Sequence, residues 1–155
     1  MKYIHYGHSK FDPNRWQDVH GSEGGMFNKP DGGLWASPED AEFGWRAWCE
    51  CEEFETERLK KSFRFRLSPE ARILELTPEN VWALPGDSVL RKRLGWMPYD
   101  RSPFSKVVGI DFAKLAEDYD VLECSISKYP ALYRFLYGWD CDCILVLNKE
   151  VIVVG

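Results

Sequence analysis

The sequence has neither a long apolar run nor an excess of basic residues. No apolar stretch reaches the roughly 18 residues that a membrane-spanning helix needs. Lys and Arg total 20 against 25 Asp and Glu, a net charge of −5, whereas proteins whose main ligand is nucleic acid usually carry a basic field. The first residues also lack the apolar region of a signal peptide. We therefore expect a soluble, cytoplasmic protein with no membrane contact.

Common catalytic and nucleotide-binding motifs are also missing. The chain has no Walker loop, no Gly-x-Gly-x-x-Gly, no His-Glu-x-x-His and no Gly-x-Ser-x-Gly. It has only 3 His residues, His5, His8 and His20. Any chemistry must therefore come from a less familiar set of residues, and the His-bearing N-terminal segment is the first place to look.

The cysteines do not form a recognisable framework. Their number, 5, is odd, which argues against a secreted disulfide scaffold. Cys49 and Cys51, and likewise Cys141 and Cys143, are separated by one residue, whereas structural zinc ligands are usually separated by two to four. Cys49 and Cys51 also fall in a helical pattern, where residues i and i+2 point apart. We expect reduced thiols and no metal.

Aromatic residues are abundant, and the secondary-structure pattern is mixed. With 155 residues the chain is expected to form one domain, residues 1–155. Its 7 Trp exceed what a small core needs, so some of them should line a pocket for flat groups. Apolar periodicity and turn residues predict strands at 2–6, 33–36, 61–67, 72–76, 121–125, 141–147 and 151–154, and helices at 37–53, 111–119 and 130–137, with a short one after Thr77. This order predicts an α+β fold with a mainly antiparallel sheet.

Two segments in the first half of the chain are candidates for a site. Paired Gly32 and Gly33 allow close approach of a ligand to the backbone, Trp35 offers a stacking face, and Ser37 can cap the following helix or donate into a pocket. The alternative is a plain loop-to-strand transition with a helix cap. His5 and His8 form either a polar cluster in a site or a hydrogen-bonded strand end.

A third candidate segment opens the most apolar strand. Asp140 and Asp142 would share one face of that strand, opposite Cys141 and Cys143. Asp is depleted in strands, so the two acids serve either to solvate a strand end or as functional carboxylates. An irregular segment over 87–105 is a candidate cover for such a site.

Together, the three segments resemble the signature strands of the ADP-ribosyltransferase superfamily, in its His-Tyr-Glu branch. Ile4-His5-Tyr6-Gly7 is similar to the first strand, Gly33-Leu34-Trp35-Ala36-Ser37 to the second, and Trp139-Asp140-Cys141-Asp142-Cys143-Ile144 to the strand of the catalytic acid. The chain also resembles small bacterial and phage proteins through segments 29–37, 45–49 and 139–143. The resemblance implies an ADP-ribosyltransferase-like split β-sheet with flanking helices.

The resemblance further implies that NAD is the substrate and assigns roles to individual residues. It implies that His5 binds the adenosine ribose, Gly7 holds the nicotinamide amide and Trp35 stacks on the nicotinamide, where Tyr is usual. It implies a pocket formed with Tyr6, Gly33, Leu34 and Ser37. Asp142 stands where a catalytic Glu is usual, and Glu123 is the reserve carboxylate.

Three functions remain open at this point. The first is transfer of ADP-ribose from NAD to an unidentified protein, nucleic-acid group or water. The second is a non-catalytic binding or inhibitor protein on the same fold, which the acidic charge and the Trp content would suit. The third is another nucleotide-modifying activity, such as RNA 2′-phosphate transfer, which calls for more basic residues than this sequence offers.

Overall fold

The computed structural model describes residues 1–20, 29–86, 109–136 and 138–155. Seven strands form one sheet in the order β4-β5-β6-β2-β1-β3-β7. Their bounds are β1 Tyr3–Tyr6, β2 Leu34–Pro38, β3 Ser62–Leu67, β4 Ile73–Glu75, β5 Val121–Cys124, β6 Cys143–Val146 and β7 Ile152–Val153. All neighbouring strands are antiparallel except β4 and β5, which run parallel. The predicted α+β class with a mainly antiparallel sheet is confirmed.

The helices of the described residues are few and short. They are α1 Trp45–Glu52, α2 Phe112–Asp118 and α3 Ala131–Phe135, with 3₁₀ turns at Pro13–Arg15, Thr56–Lys60, Asn80–Ala83 and Lys149–Val151. None of them is long and apolar enough to cross a membrane. Asp111 caps α2 by accepting a hydrogen bond from the Lys114 N–H, as a helix beginning at this residue predicts.

Apolar residues cover both faces of the sheet. Every residue of β6 is buried, because a strand at the centre of a sheet that is covered on both sides reads as a continuous apolar run. Leu122, Leu145 and Trp139 belong to the cluster on one face. Tyr3, Phe65 and Ile144 belong to the cluster on the other. These two clusters hold the centre of the sheet in place, and the candidate site residues lie near the ends of its strands.

The predicted start of the first helix is wrong. Ser37 and Pro38 belong to β2, because they pair with Ile4 and Tyr3 of β1, and α1 begins only at Trp45. Ser37 nevertheless caps this helix from a distance, since its Oγ accepts the Trp45 N–H at 2.9 Å. Ser37 was predicted correctly as the capping residue, but a turn separates it from the helix that it caps.

Parts of two other predictions lie outside the described residues. The candidate cover segment, 87–105, falls within the undescribed stretch 87–108. Tyr137, the end of the last predicted helix, is also outside the described residues, as are residues 21–28.

A buried carboxylate ties the edge strand β4 to its neighbour β5. Asp120, which is 5 % exposed, accepts hydrogen bonds from the Arg72 backbone N–H at 2.8 Å, the Arg72 guanidinium at 3.1 Å and the Asn148 amide at 3.1 Å. These bonds, those from Arg72 first, lower the pKa of Asp120 to about 2 against the opposing effect of burial. The ionised carboxylate therefore stabilises the entry to β4 and β5.

Asp120→Asn should lower the free energy of unfolding at pH 7 by about 1–3 kcal/mol, because a charge-assisted set of buried hydrogen bonds is weakened. The folded-state pKa of Asp120 lies below its unfolded value, so its contribution is complete above about pH 4 and is lost as the pH falls towards 2. Urea denaturation of the wild type and Asp120→Asn from pH 7 to 2 should show the gap between their free energies of unfolding closing below about pH 4. Asp118→Asn, at an exposed position, is the matched control, and a gap that is constant with pH would contradict the assignment.

Candidate functional site

The sheet divides between β1 and β2. Their pairing covers only Tyr3↔Pro38 and Ile4↔Ser37. Beyond it, β1 continues against β3 to Tyr6↔Ser62, and β2 continues against β6 back to Leu34↔Val146. The strands β1 and β2 thus separate at His5 and Trp35, which opens a cleft in the middle of the sheet.

The His5 side chain bridges this opening. Its Nδ1 lies 2.7 Å from the Trp35 carbonyl oxygen and its Nε2 lies 3.0 Å from Nδ1 of His8. A carbonyl can only accept, so Nδ1 of His5 carries the hydrogen and, in the neutral ring, Nε2 accepts from His8. Burial, the largest cause, lowers the pKa of His5, with smaller contributions from His8 and Arg58 that the Trp35 bond opposes. His5 is therefore held as a neutral, oriented imidazole.

A pocket of about 360 Å³ opens beside this bridge. We call it the aromatic pocket. Its rings come from His5, Tyr6, Trp35, Trp45 and Phe54, and its charged groups from Lys29, Glu55, Arg58 and Asp140. The volume lies at the lower end of the range typical of small-molecule sites. An apolar wall with a few charged groups suits a ligand that is both flat and ionic.

Two tryptophans define the wall of the aromatic pocket. The ring of Trp35 packs edge-on against buried Trp139, with centroids 4.7 Å apart. Trp45, the first residue of α1, stacks on Trp48 with centroids 5.1 Å apart. The Nζ of Lys29 lies 5.5 Å from the Trp35 ring centroid and 5.2 Å from that of Trp45. Both distances are within the range of cation–π attraction.

A strained connection after α1 positions the ring of Phe54. Glu53 and Glu55, which flank Phe54, both have left-handed backbone conformations, with φ of 53° and 45°. Non-glycine residues adopt this region at a cost, and such strain is concentrated at functional sites. The Phe54 ring lies edge-on to Trp48, with centroids 5.5 Å apart. Glu55 also pairs with Arg58 at 3.3 Å, which places an ion pair at the pocket wall.

Of the residues predicted to bind NAD, the structure brings three together in the aromatic pocket: His5, Tyr6 and Trp35. The backbone N–H of Gly7 donates to the Lys61 carbonyl at 2.9 Å and extends the β1–β3 ladder. Leu34 packs into the core on the far face of the sheet. Gly7 and Leu34 are therefore outside the lining of the pocket.

Gly33 and Ser37 support the pocket from behind its lining. Gly33 has φ of +65°, and a Cβ there would lie 2.7 Å from the Val146 carbonyl oxygen, so the position needs glycine for the approach of β6. Ser37 is 2 % exposed and holds the start of α1. Both residues position β2 and α1, whose Trp35 and Trp45 form the wall.

Asp142 is not in the aromatic pocket. Its carboxylate accepts hydrogen bonds from the Ser127 N–H at 2.8 Å, the Ser127 hydroxyl at 2.6 Å and the Phe43 N–H at 3.3 Å. The prediction that Asp140 and Asp142 share a face of one strand is wrong, because β6 begins only at Cys143. The Asp142 N–H donates to the Phe43 carbonyl at 2.8 Å instead of to a neighbouring strand. Asp140, two residues earlier, is the one that lines the pocket.

The reserve carboxylate lies with Asp142 in a second cavity. This cavity, about 480 Å³, is lined by Glu75, Glu123, Ser127, Lys128 and Asp142 among others. Glu123 pairs in register with Glu75 across the parallel β4–β5 ladder. Burial and the neighbouring Glu75 raise the pKa of Glu123. The structure therefore separates both predicted acids from His5 and Trp35.

The sequence prediction missed several residues of the aromatic pocket. Lys29 and Trp45 fall within the segments through which the chain resembles the small bacterial and phage proteins, but they received no role there. Phe54 and Arg58 lie in a strongly charged stretch that reads as a solvated surface. No local sequence signal distinguishes Phe54 and Arg58 from their neighbours. The left-handed backbone turn beside Phe54 is formed by Glu53 and Glu55, and a sequence pattern would predict such a turn only at glycine.

The thiols near the pocket are held protonated. Cys141 and Cys143 line it. The pKa of Cys141 is raised by its hydrogen bond with Cys143 and by burial. The pKa of Cys143 is raised by its hydrogen bond with Cys124 and by burial. Burial raises the pKa of Cys49 to about 11. Cys49 is buried and Cys51 is exposed, so the two do not converge. Among the residues that the structure describes, no group of three His, Cys, Asp or Glu side chains is arranged to hold a metal ion.

Asp142→Asn should destabilise the protein, because the Ser127 and Phe43 N–H groups donate to different carboxylate oxygens and the new amide NH2 must face one of these two donors. We expect a loss of about 2–3 kcal/mol in the free energy of unfolding, measured by urea denaturation. Asp40→Asn, the same change at an exposed position, should stay within about 0.5 kcal/mol of the wild type. Equal stability of the two variants would contradict the structural role of Asp142.

The neutral state of His5 predicts a pH dependence of stability. Because its folded-state pKa is lowered, the unfolded chain binds a proton first as the pH falls below about 6.5. The contribution of His5 to stability is therefore complete above this pH and declines below it, until the folded-state pKa is reached. His5→Gln should remove this part of the decline in denaturation midpoints. Histidine NMR should show the His5 ring titrating below pH 6.5, and a pKa above this value would overturn the assignment.

Comparisons of the chain with models of known protein families, with curated proteins and with solved structures gave no match. The functional argument therefore rests on the geometry of the aromatic pocket and on the resemblance of the sequence motifs.

Proposed function

We propose that the aromatic pocket binds NAD and that the protein is an ADP-ribosyltransferase-like enzyme acting on a macromolecular acceptor. The observation that carries the proposal is that His5 and Trp35, which lie 30 residues apart, meet at the division between β1 and β2. The resemblance of the sequence implies that Trp35 stacks on the nicotinamide and that His5 binds the adenosine ribose, with both residues on signature strands of a split sheet.

The rings support binding of a flat group. Trp35 and Trp45 both line the pocket, and each is held by a further aromatic ring, Trp139 and Trp48 respectively. Rings fixed in this way lose little conformational freedom on binding, which favours stacking of a nicotinamide or adenine ring.

The charges support a ligand with a diphosphate and a sugar. Lys29 and Arg58 line the pocket, and both are suitable partners for phosphate oxygens. His5 is neutral and is oriented by its bond to the Trp35 carbonyl. Its Nε2 can accept a hydrogen bond from a ribose hydroxyl in place of the one from His8.

The carboxylate that we assign to the reaction is Asp140. Breaking the bond between ribose C1′ and nicotinamide leaves a positively charged sugar, which a nearby carboxylate stabilises. Asp140 lines the aromatic pocket, whereas Asp142 is engaged by Ser127 and Phe43 outside it. In this proposal Asp142 is a positioning residue that anchors the segment from which Asp140 projects.

The test is calorimetry with NAD combined with nicotinamide release, for the wild type and two matched variants. Asp140→Asn should bind NAD and lower the release rate by about 100-fold or more, the usual effect of removing one transition-state electrostatic contact. Asp142→Asn, assayed below its unfolding transition, should keep release within about fivefold of the wild type, because its side chain does not touch the ligand. The reverse pattern would return the catalytic role to Asp142.

Binding is tested separately through Trp35. Trp35→Ala should weaken NAD about tenfold, because a stacking contact is lost, and Trp35→Phe should restore most of the affinity. Trp16→Ala is a control, since Trp16 lies in another depression of the surface. The absence of any heat of binding at millimolar NAD would reject the proposal.

A non-catalytic binding protein remains the second candidate function. The observation that favours it is the full hydrogen bonding of Asp142, the residue at the position of the expected catalytic acid, outside the pocket. NAD binding by the wild type without nicotinamide release, with or without host extract as acceptor, would identify this alternative.

A further inference from the structure

We propose that Trp35 and Trp45 form a cage for an organic cation, that the Lys29 ammonium occupies the cage in the free protein, and that the ligand binds by displacing it. The inference rests on the proposed function only for the natural ligand, which would be NAD with its positively charged pyridinium ring. The cage itself follows from the positions of three side chains.

The geometry of the cage is that of a cation facing two rings. Lys29 Nζ lies 5.5 Å from the Trp35 centroid and 5.2 Å from the Trp45 centroid. A cation within about 6 Å of an indole ring is attracted by the negative face of the ring. Because Trp35 lies on β2 and Trp45 on α1, the two rings belong to separate elements that converge on the same ammonium.

Neighbouring contacts hold the cage in shape without Lys29. Trp35 is packed against Trp139, and Trp45 is stacked on Trp48. The Ser37 hydroxyl fixes the start of α1 by accepting the Trp45 N–H. Removing the lysine head group should therefore leave two rings already placed for a cation, and preorganisation of this kind favours binding.

Lysine is well suited to be a displaceable occupant. Its ammonium sits on a flexible four-carbon stem and is strongly hydrated in water, and Lys29 is only partly buried. A rigid aromatic cation gains both ring stacking and cation–π attraction in the same space. Asp140, which lines the same pocket beside the paired Glu55 and Arg58, adds a negative charge that favours a positively charged ligand over a neutral one of the same shape.

Self-occupation has a measurable consequence. The apparent dissociation constant of a cationic ligand equals its intrinsic value divided by the fraction of molecules with an empty cage. Two cation–π contacts at a partly exposed site correspond to about a five- to thirtyfold preference for the occupied state. Removal of the Lys29 charge should tighten the binding of a cation by about this factor.

The experiment uses 1-methylnicotinamide, a pyridinium cation without phosphate, and nicotinamide, its neutral counterpart. Each is titrated into the wild type, Lys29→Met and Lys60→Met, with Trp fluorescence and NMR of the indole N–H groups as readouts. Lys29→Met keeps an unbranched side chain. Lys60→Met removes the same charge at an exposed surface pair with Glu57. We expect Lys29→Met to bind both the cation and nicotinamide about five- to thirtyfold tighter than the wild type, because each ligand needs an empty cage. The cation should bind more tightly than nicotinamide in every variant, and Lys60→Met should match the wild type. Tightening of the cation alone would indicate charge repulsion by Lys29 and overturn self-occupation.

The outcomes separate this inference from the proposed function. Cation affinity that is unchanged or weaker in both Lys29→Met and Lys29→Gln, with thermal unfolding midpoints near that of the wild type, overturns the inference even if NAD binds. Absence of cation binding to all variants overturns it as well. Tighter cation binding in Lys29→Met together with no NAD binding to any variant upholds the cage and rejects NAD as the ligand.

Discussion

The hydrogen bond from His5 Nδ1 to the Trp35 carbonyl joins β1 and β2 at the point where their ladder ends. Buried backbone carbonyls need a donor, and here a side chain supplies it in place of a strand. This replacement lets β1 stay with β3 and β2 stay with β6 while the space between them opens. The opening of the aromatic pocket and the orientation of the His5 ring both depend on this one substitution of a side-chain bond for a ladder bond.

A second constraint builds the opposite wall of the pocket. Ser37 ties α1 to β2, and the left-handed residues on either side of Phe54 turn the chain back after the helix. Together they place the rings of Trp45 and Phe54 across from Trp35, with charges of both signs around them. The result is a binding surface that combines stacking with ionic contacts, which is what nucleotides and organic cations require.

Two aspartates only two residues apart have different environments. Asp142 is tied to Ser127 and Phe43 and so fixes the path of the chain into β6, whereas Asp140 faces the aromatic pocket. The strand begins after both of them, so their directions are set by the turn and not by strand alternation. Only Asp140 is therefore placed to meet a group bound in the aromatic pocket.

The sequence by itself determined the α+β class, the approximate positions of most strands, the separation of Cys49 from Cys51, and the His5, Tyr6 and Trp35 part of the pocket. These follow from alternation, turn residues and short motifs, which act over a few neighbouring residues. The tertiary structure decided that Ser37 caps a helix eight residues away, that Lys29, Trp45, Phe54 and Arg58 meet Trp35, and that Asp140 rather than Asp142 lines the pocket. Such contacts join residues far apart in the chain, and they are fixed by strand pairing and by competition for backbone hydrogen bonds, neither of which a local pattern encodes.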